Sequence, residues 1–590
     1  MLPKGFFRSS TLLAALMLAF SVSSGHAEAA FSAVGSSNVT TADPAVPRPP
    51  GTPCVVQLFS GDSFVNFGDH PYSYAPPTGC GTRWSKVVLE ADFSVSAGRQ
   101  FDRTAQLWLG GVNLYYGTTQ EPSSTVSPSW HVERDLTDYS ALFRHADDGR
   151  AVLGNVVNST YTGIIAGSAR LLFYPVSETA PAARAPDRVL SLGSDPVGNA
   201  SVLNNSDSTL SKTFTLPRNV ERAYLDVFAQ SQGSDEFWYT CVPDAYAAQV
   251  QECGGGNFRE AEVSIDGQQA GVAPVYPWIY TGGIDPYLWR PTPGVQTLNF
   301  MPYRVDLTPF AGLLSDGATH TVTLNVAGAH NYFLASASLL LYLDPHAQRV
   351  NGHIERNTLV GQVPTPIIAD TLVTAADGSI TGDITTNLSR HFIIEGVANT
   401  SHGRVHSSVE QTVAFSDTQG FTISGPVYRQ VTDQLTSMDS LSRSTVGHFV
   451  TGEHQQSLRY PLHLDYSFDQ TDAGGYTQNA QVHQGYTNQV ERRLFGHTLY
   501  ASQISNTVDA GDTLDFDSSF HVTGHSAQQN AQSYHFRDSL GGCYLVDVAS
   551  TAGVVTRDDR GTGCRNGQNR VLWFTHPDGS PDSGNAVLGW

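Results

Sequence analysis

Acidic residues stand at two places where a predicted strand begins or ends. Asp102 and Arg103 come just before an alternating segment, whereas Asp235 and Glu236 are adjacent and lie at the end of another. Two carboxyl groups that are close together and partly buried raise the pKa of at least one of them, which keeps one carboxyl protonated near neutral pH. These segments therefore indicate acid–base chemistry. A turn cap at Asp102 and a solvated strand end at Glu236 are the structural alternatives.

A third segment, residues 276–291, is rich in aromatic residues, glycine and proline. It includes Tyr280 and Trp289, and Trp238 follows the acidic pair closely. Aromatic faces with polar groups between them suit a sugar ring, because the ring stacks through its C–H face while its hydroxyl groups need directional partners. The same aromatic residues would also serve as a roof over a β-sandwich core. Both interpretations stay open at this point.

Histidines are concentrated in the second half of the chain, where 13 of the 20 follow residue 350. The pairs His402/His406 and His521/His525 have the four-residue spacing of metal ligands on a helix. On the strands predicted there, such a pair is about 13 Å apart. The sequence has neither a Cys-x-x-Cys pair nor a Gly-x-Ser-x-Gly segment. We therefore expect no metal, no organic cofactor and no serine-hydrolase or nucleotide chemistry.

The composition is that of a globular, turn-rich protein. The 590 residues include 40% hydrophobic and 15% charged residues, together with 55 glycines and 31 prolines. The formal net charge is −21, and the lysines are few (Lys4, Lys86 and Lys212). Because no run of basic residues is present to neutralise a phosphate backbone, a nucleic-acid partner is not expected.

The N-terminus has the pattern of a secretory signal peptide. Basic residues at positions 4 and 8 precede a short apolar run, and small residues follow at 27–30. We predict a signal peptide over residues 1–30, cleaved near 27–30, and a linker rich in proline and serine over residues 31–50. The apolar run is too short for a membrane span, which needs about 20 residues. We expect a protein that is secreted or periplasmic.

The cysteines form three pairs of near neighbours in the sequence. An exported chain meets an oxidising compartment, which favours disulfides. Six cysteines allow 15 connectivities, of which pairing between near neighbours is the prediction. The predicted disulfides join Cys54 to Cys80, Cys241 to Cys253 and Cys543 to Cys564.

Short segments with period-two alternation recur between turn signals along the whole chain, which is typical of antiparallel sheets. We predict an all-β protein with two consecutive jelly-roll or β-sandwich domains, residues 51–195 and 196–350, and a further β-rich C-terminal domain, residues 351–590. An Asp-Leu-Thr phrase occurs late in each of the first two domains, at 135–137 and 306–308. It indicates a duplicated topology in which the threonine caps a short helical turn.

At these same segments the chain resembles the A-type peptide:N-glycosidase family, the peptide-N4-(N-acetyl-β-glucosaminyl)asparagine amidases. The phrases that carry the resemblance are FDRTA at 101–105, YGTTQEP at 116–122, WHVERDLTDY at 130–139, TYTG at 160–163, DEFWY at 235–239, TGGI at 281–284, LWRP at 288–291 and RVDLTPF at 304–310. The scarcity of lysine beside abundant alanine, glycine and arginine indicates a GC-rich genome. We therefore expect a bacterial member, and we expect activity in acid if the catalytic base is a carboxylate with a lowered pKa.

The F-type enzymes resemble this chain more distantly, over two jelly rolls. Their catalytic aspartate lies in a Trp-Asp-Arg phrase that corresponds to residues 101–103, and their key glutamate lies in an Ala-Glu-Trp-Cys phrase similar to residues 235–238. Phe101 replaces the tryptophan, and one residue separates Glu236 from Trp238. A second F-type glutamate would fall near residues 154–158, where this chain has no acid. The resemblance therefore leaves that role unassigned.

The resemblance implies hydrolysis of the amide between an Asn side chain and the first N-acetylglucosamine of an N-glycan, on glycopeptides and glycoproteins, without a cofactor. We expect a monomer. Asp102 would orient the attacking water as a base. Glu236 would bind the core sugar or protonate the leaving nitrogen.

The other candidates would surround this pair. Asp235 would raise the pKa of Glu236 by like-charge repulsion, and Arg103 would keep Asp102 ionised or contact the substrate. Sugar stacking would fall to Trp238, Tyr280 and Trp289. The site would lie between the two sandwiches. A non-catalytic glycan-binding protein and an endo-glycosidase that cuts between core sugars are the alternatives.

Overall fold

A computed structural model describes residues 33–471, 474–567 and 569–576 of the chain. The predicted signal peptide lies outside the described residues. Within the described part, no helix is long and apolar enough to cross a membrane.

Two four-stranded antiparallel sheets between residues 54 and 175 pack through a shared apolar core that includes Leu107, Tyr115 and Phe173. The strand orders are β1-β8-β3-β6 and β2-β7-β4-β5. Two 3-10 turns, Thr137–Tyr139 and Leu142–Arg144, precede β7. The strands are β1 (Cys54–Phe64), β2 (His70–Tyr74), β3 (Trp84–Val95), β4 (Thr104–Leu109), β5 (Val112–Thr118), β6 (Ser129–Asp135), β7 (Asp147–Val152) and β8 (Ile165–Pro175).

A second pair of sheets lies between residues 188 and 343. One has the order β10-β17-β12-β15 with β9 added to β17, and the other has the order β11-β16-β13-β14. The strands are β9 (Arg188–Ser191), β10 (Ser201–Leu203), β11 (Leu210–Thr215), β12 (Val220–Ser231), β13 (Glu260–Ile265), β14 (Gln268–Pro274), β15 (Tyr303–Asp306), β16 (Thr319–Ala327) and β17 (Phe333–Leu343). Short helices α1 (Asp244–Val250) and α2 (Ala311–Leu314) and the 3-10 turns Gly233–Asp235 and Thr308–Phe310 lie in the connections.

The C-terminal part is one 12-stranded antiparallel sheet in which most strands follow each other in chain order. Its inner face shares an apolar core with the second pair of sheets, through residues such as Phe392 and Leu462. A 3-10 turn, Arg565–Gly567, follows the last strand. The strands are β18 (Asn351–Asn357), β19 (Ile367–Asp370), β20 (Val373–Thr374), β21 (Ile380–Thr400), β22 (Gly403–Ile423), β23 (Val427–Val446), β24 (Phe449–Gln470), β25 (Tyr476–Leu494), β26 (His497–Phe516), β27 (Val522–Asp538), β28 (Cys543–Thr551) and β29 (Val554–Arg560).

The all-β fold class is confirmed, and so are the three disulfides, Cys54–Cys80, Cys241–Cys253 and Cys543–Cys564. The exact domain boundaries stay predictions. The duplicated phrase does end a strand and begin a 3-10 turn in both places, but the prediction of a threonine cap is wrong. In both turns the aspartate accepts a hydrogen bond from the threonine N–H, Asp135 at 3.0 Å and Asp306 at 2.9 Å.

The predicted linker lacks regular secondary structure but is anchored along its length. The Gly35 N–H donates to the Val555 carbonyl at 2.8 Å, and the Val555 N–H donates back to Ser36. The Ala42 N–H donates to Oε1 of Gln532 at 2.7 Å. Arg48 forms ion pairs with two acids of the first pair of sheets. Residues 33–50 therefore contact both ends of the chain's β structure.

One irregular segment, residues 275–302, connects β14 to β15 and is almost entirely buried. Buried backbone N–H and C=O groups need hydrogen-bond partners. This segment, called the 275–302 segment below, finds some of them in its own turns and others in the first pair of sheets, in residue 120 after β5 and in the C-terminal sheet.

Candidate active site

The β4–β5 hairpin brings Asp102 next to a second acid, Glu121. Residues 103 and 119 flank this hairpin and hydrogen-bond to each other, since the Arg103 N–H donates to Thr119 Oγ1 at 2.9 Å and the Thr119 N–H donates to the Arg103 carbonyl at 2.9 Å. The Asp102 N–H lies 3.3 Å from Oε1 of Glu121. The hairpin register therefore places one acid just before β4 beside another just after β5.

Glu121 is a site residue that the sequence reasoning missed. Its side chain is buried, and its Oε2 lies 3.2 Å from Nη2 of Arg290. Burial, together with the negative charge of Asp102, raises the pKa of Glu121 to about 7. The sequence does contain an indication of Glu121, because a β4–β5 hairpin that turns at Gly110 and Gly111 places position 102 nearly opposite position 121.

Gly282 of the 275–302 segment lies directly against both acids. Its N–H lies close enough to the Asp102 carboxylate to lower the pKa of that group. A Cβ at this position would come within 2.6 Å of Glu121 Oε1 and 2.7 Å of Asp102 Oδ1, so a side chain has no room there. Thr281 holds this part of the segment beside the hairpin, since its hydroxyl donates to the Thr119 carbonyl at 2.5 Å.

The pKa of Asp102 is raised to about 6 by burial, although the Gly282 N–H and the positive charge of Arg103 pull it down. Arg103 is held in place by a 3.0 Å hydrogen bond from its Nη2 to Gln100 Oε1. The positive charge of Arg103 favours the ionised form of Asp102, but the pKa of Asp102 is still raised and not lowered, unlike the base assumed in the expectation of activity in acid.

Glu236 reaches the site from the second pair of sheets. It follows β12 and the 3-10 turn Gly233–Asp235, and its N–H donates to the Gly233 carbonyl at 3.2 Å. The side chain is half-buried. Burial and the charge of Asp102 raise the pKa of Glu236 to about 7. Asp102 thus lies close enough to raise the pKa of Glu236 as well as that of Glu121, so it links the two other acids.

Asp235 has a different place from the predicted one. Its side chain is fully buried, with Oδ1 paired to the Arg259 guanidinium at 2.5 Å and Oδ2 accepting the N–H groups of His330 and Asn331 at 2.8 and 2.6 Å. The pKa of Glu236 is raised by burial and by Asp102, not by Asp235. We therefore correct its role: Asp235 fixes the turn that presents Glu236 and is out of reach of a substrate.

The three predicted stacking residues are core residues, and this expectation is corrected as well. Trp238, Tyr280 and Trp289 are at most 4% exposed. The indole N–H of Trp289 donates to the Gly283 carbonyl at 2.8 Å, and the Tyr280 hydroxyl donates to the Ser231 carbonyl. These side chains cover the core and support the 275–302 segment, which was the alternative interpretation of the aromatic residues.

An exposed aromatic surface lies next to Asp102 instead. Phe101 is 44% exposed, and its ring centroid is 5.3 Å from that of Tyr161. The Arg99 guanidinium lies over both rings, 5.9 Å from Phe101 and 5.5 Å from Tyr161. This pair offers an apolar ring face beside the acids, of the kind that a sugar could use.

In the part of the chain that the structure describes, one group of three side chains has the spacing of metal ligands: Glu90, His131 and Glu133. Arg48 lies 2.6 Å from Glu90 and 2.7 Å from Glu133, and Arg170 also pairs with Glu90. These guanidinium groups already neutralise the carboxylates, and the cluster belongs to the β3–β6 strand pair. The group therefore offers a cation little attraction.

The sequence model of the family described as peptide N-acetyl-beta-D-glucosaminyl asparaginase amidase A matches residues 44–359. The chain belongs to this family. A relative from Prunus dulcis, peptide-N4-(N-acetyl-beta-glucosaminyl)asparagine amidase A, is 28% identical over 537 residues, which cover 88% of this chain and 91% of the relative. The predicted family and enzyme class, an amidase that acts on linear amides, are thereby confirmed. The range matched by the amidase A family contains Asp102, Glu121 and Glu236.

Among solved structures, PNGase F, a glycosylasparaginase from Flavobacterium meningosepticum, is 13% identical with a TM-score of 0.36, covering 50% of this chain and 96% of that one. PNGF-II is 12% identical with a TM-score of 0.34, covering 50% of this chain and 66% of that one. At TM-scores this low, the likeness carries no argument about where the site residues of this amidase A family member lie.

Proposed function

We propose that this protein hydrolyses the amide that joins an Asn side chain to the first N-acetylglucosamine of an N-glycan, on glycopeptides and glycoproteins. The observation that carries the proposal is the meeting of Asp102, Glu121 and Glu236 with the Gly282 N–H in one half-buried site within the range matched by the family. Raised pKa values at a cluster of acids are typical of catalytic sites.

Asp102 is the base in this proposal. Its pKa of about 6 is the lowest of the three, because the Gly282 N–H and Arg103 both favour its carboxylate. Between about pH 6 and 7 a larger fraction of Asp102 than of Glu121 or Glu236 is ionised. A single site thus holds a base and two acids at the same pH, as hydrolysis of an amide needs.

Asp102 accepts a proton from a water molecule, whose oxygen bonds to the amide carbon, and a protonated neighbour stabilises the oxygen that becomes negative. Glu236 then gives its proton to the nitrogen as the carbon–nitrogen bond breaks. The products are a glycosylamine and a peptide in which Asp replaces Asn, and proton exchange with solvent restores both acids.

We further propose that the protein acts as an exported monomer. The predicted signal peptide supports export, and the three disulfides fit an oxidising compartment. The net charge of −21 argues against a nucleic-acid partner.

Mass spectrometry of a defined N-glycopeptide tests the proposal. Wild type, Asp102→Asn and Glu236→Gln are compared over about pH 4 to 8, a range that covers carboxyl titration, with the exposed Asp148→Asn as control. We expect wild type and control to release the whole glycan and leave Asp, and both site variants to be impaired. A peptide that keeps one N-acetylglucosamine would instead identify an endo-glycosidase, and an unchanged, bound glycopeptide would identify a lectin.

A further inference from the structure

The inner face of the C-terminal sheet carries buried amide side chains at positions where an alternating strand usually has apolar ones. Each is at most 4% exposed, and each donates to backbone carbonyls outside the sheet. A buried carbonyl without a partner costs about 1–3 kcal/mol, so these amides satisfy an irregular backbone. The residues are Gln419, Gln430, Gln484, Gln528 and Asn530.

Three of these amides hold the 275–302 segment. Gln484 ties two distant points of it together, since its Nε2 donates to the Pro277 carbonyl at 2.7 Å and its Oε1 accepts the Val295 N–H at 2.9 Å. Gln528 Nε2 donates to the Arg290 carbonyl at 2.9 Å.

Asn530 completes this attachment. Its Nδ2 donates to the carbonyls of Leu288 and Thr292 at 2.9 and 2.8 Å, one on each side of Arg290. The sheet therefore holds by hydrogen bonds the part of the segment that contains Arg290, which pairs with Glu121. The same segment places the Gly282 N–H close to Asp102.

The remaining two amides hold the backbone that follows Glu236. Gln419 Nε2 lies 3.3 Å from the Tyr239 carbonyl and 3.1 Å from the Cys241 carbonyl. Gln430 Nε2 donates to the Thr240 carbonyl at 2.8 Å. One rigid sheet thus contacts both stretches of backbone that bring acids or their partners into the site.

We propose that the C-terminal sheet is part of the amidase centre, and that Gln419, Gln484 and Gln528 are positioning residues that set the placement of Glu236 relative to Asp102 and Glu121. This inference rests on the proposed function. In this proposal the C-terminal sheet contributes to catalysis by ordering the backbone around the acids, without contacting the substrate itself.

The test replaces Gln484 or Gln528 with methionine, which keeps the volume but removes the amide. Gln478→Met is the matched control, because Gln478 lies on the same strand and face as Gln484, is buried, and accepts a hydrogen bond from Tyr466 inside the sheet. Since a misplacement of about 1 Å can cost about 100-fold in rate, we expect kcat to fall about 10- to 100-fold with a much smaller change in KM. The control keeps its kcat.

Hydrogen exchange followed by mass spectrometry gives a second measurement that needs no turnover. Exchange in peptides from residues 277–295 should be faster in both amide variants and unchanged in the control. Wild-type kcat together with wild-type exchange in Gln484→Met and Gln528→Met would overturn the inference. If wild type itself releases no glycan, the proposed function has failed, and the exchange measurement still decides whether the sheet holds this segment.

Discussion

Gly282→Ala tests the site by the smallest possible change. The glycine does not have a positive φ, so alanine is allowed by the backbone and the effect comes from contact alone. The new Cβ would lie 2.6 Å from Glu121 Oε1 and 2.7 Å from Asp102 Oδ1. Carbon–oxygen contacts begin at about 3.3 Å, so each carboxylate must move by roughly 0.6 Å.

A shift of that size should lower kcat about 10- to 100-fold, because roughly 100-fold is the cost of a 1 Å misplacement. The assay is single-turnover release of glycan from a defined glycopeptide, with thermal unfolding of both proteins. Gly283→Ala is the control, since a Cβ there meets the Tyr280 carbonyl at 3.1 Å and Ile279 at 3.2 Å, without touching an acid. If folded Gly282→Ala keeps wild-type kcat, the assignment of Asp102 and Glu121 to the reaction is refuted.

Three further outcomes are expected. The pH–rate profile should be bell-shaped, rising as Asp102 ionises near pH 6 and falling as Glu236 and Glu121 lose their protons near pH 7. In kcat measured from about pH 4 to 8, Glu236→Gln should leave only the part of the falling limb that belongs to Glu121, and a falling limb identical to that of wild type contradicts the role of Glu236. Asp235→Asn leaves the Arg259 charge buried without its partner and should lower the free energy of unfolding by about 3–5 kcal/mol in urea titrations, with exposed Asp148→Asn close to wild type. Asp285 is buried beside Asp512, and both burial and this neighbour raise the pKa of Asp285. A carboxyl group with a raised pKa contributes stability that is complete at low pH and is lost as the pH rises toward neutral. Asp285→Asn should therefore flatten the decline of Tm between about pH 4 and 8, and a decline equal to that of wild type would contradict this.

The sequence predicted those features that depend on local pattern. Period-two alternation identified the strands, and cysteines close in sequence were paired correctly. Asp102 and Glu236 were predicted as site residues because each stands beside a strand end in a phrase of the family, and their roles stay predictions. Glu121 was missed because its place depends on the hairpin register, which joins residues 103 and 119.

The errors concern direction and burial rather than element type. Asp235 and Glu236 are adjacent, but successive residues around a 3-10 turn point about 120° apart, so one faces Arg259 and the other faces the site. The sequence does not indicate which of the two acids faces Arg259 and which faces the site. Trp238 and Trp289 were expected at a sugar surface, yet both are buried in the core that the second pair of sheets shares with the C-terminal sheet, and this burial depends on residues distant in sequence.

The pairing of residues 35 and 36 with Val555 has a consequence for the order of folding. The earliest described residues acquire these partners only after almost the whole chain has been made, because more than 500 positions separate them. Contacts this distant in sequence form late and slow the final step. A chain that crosses a membrane N-terminus first would emerge with residues 33–50 still unattached, and its last strands would close the structure only when transport is complete.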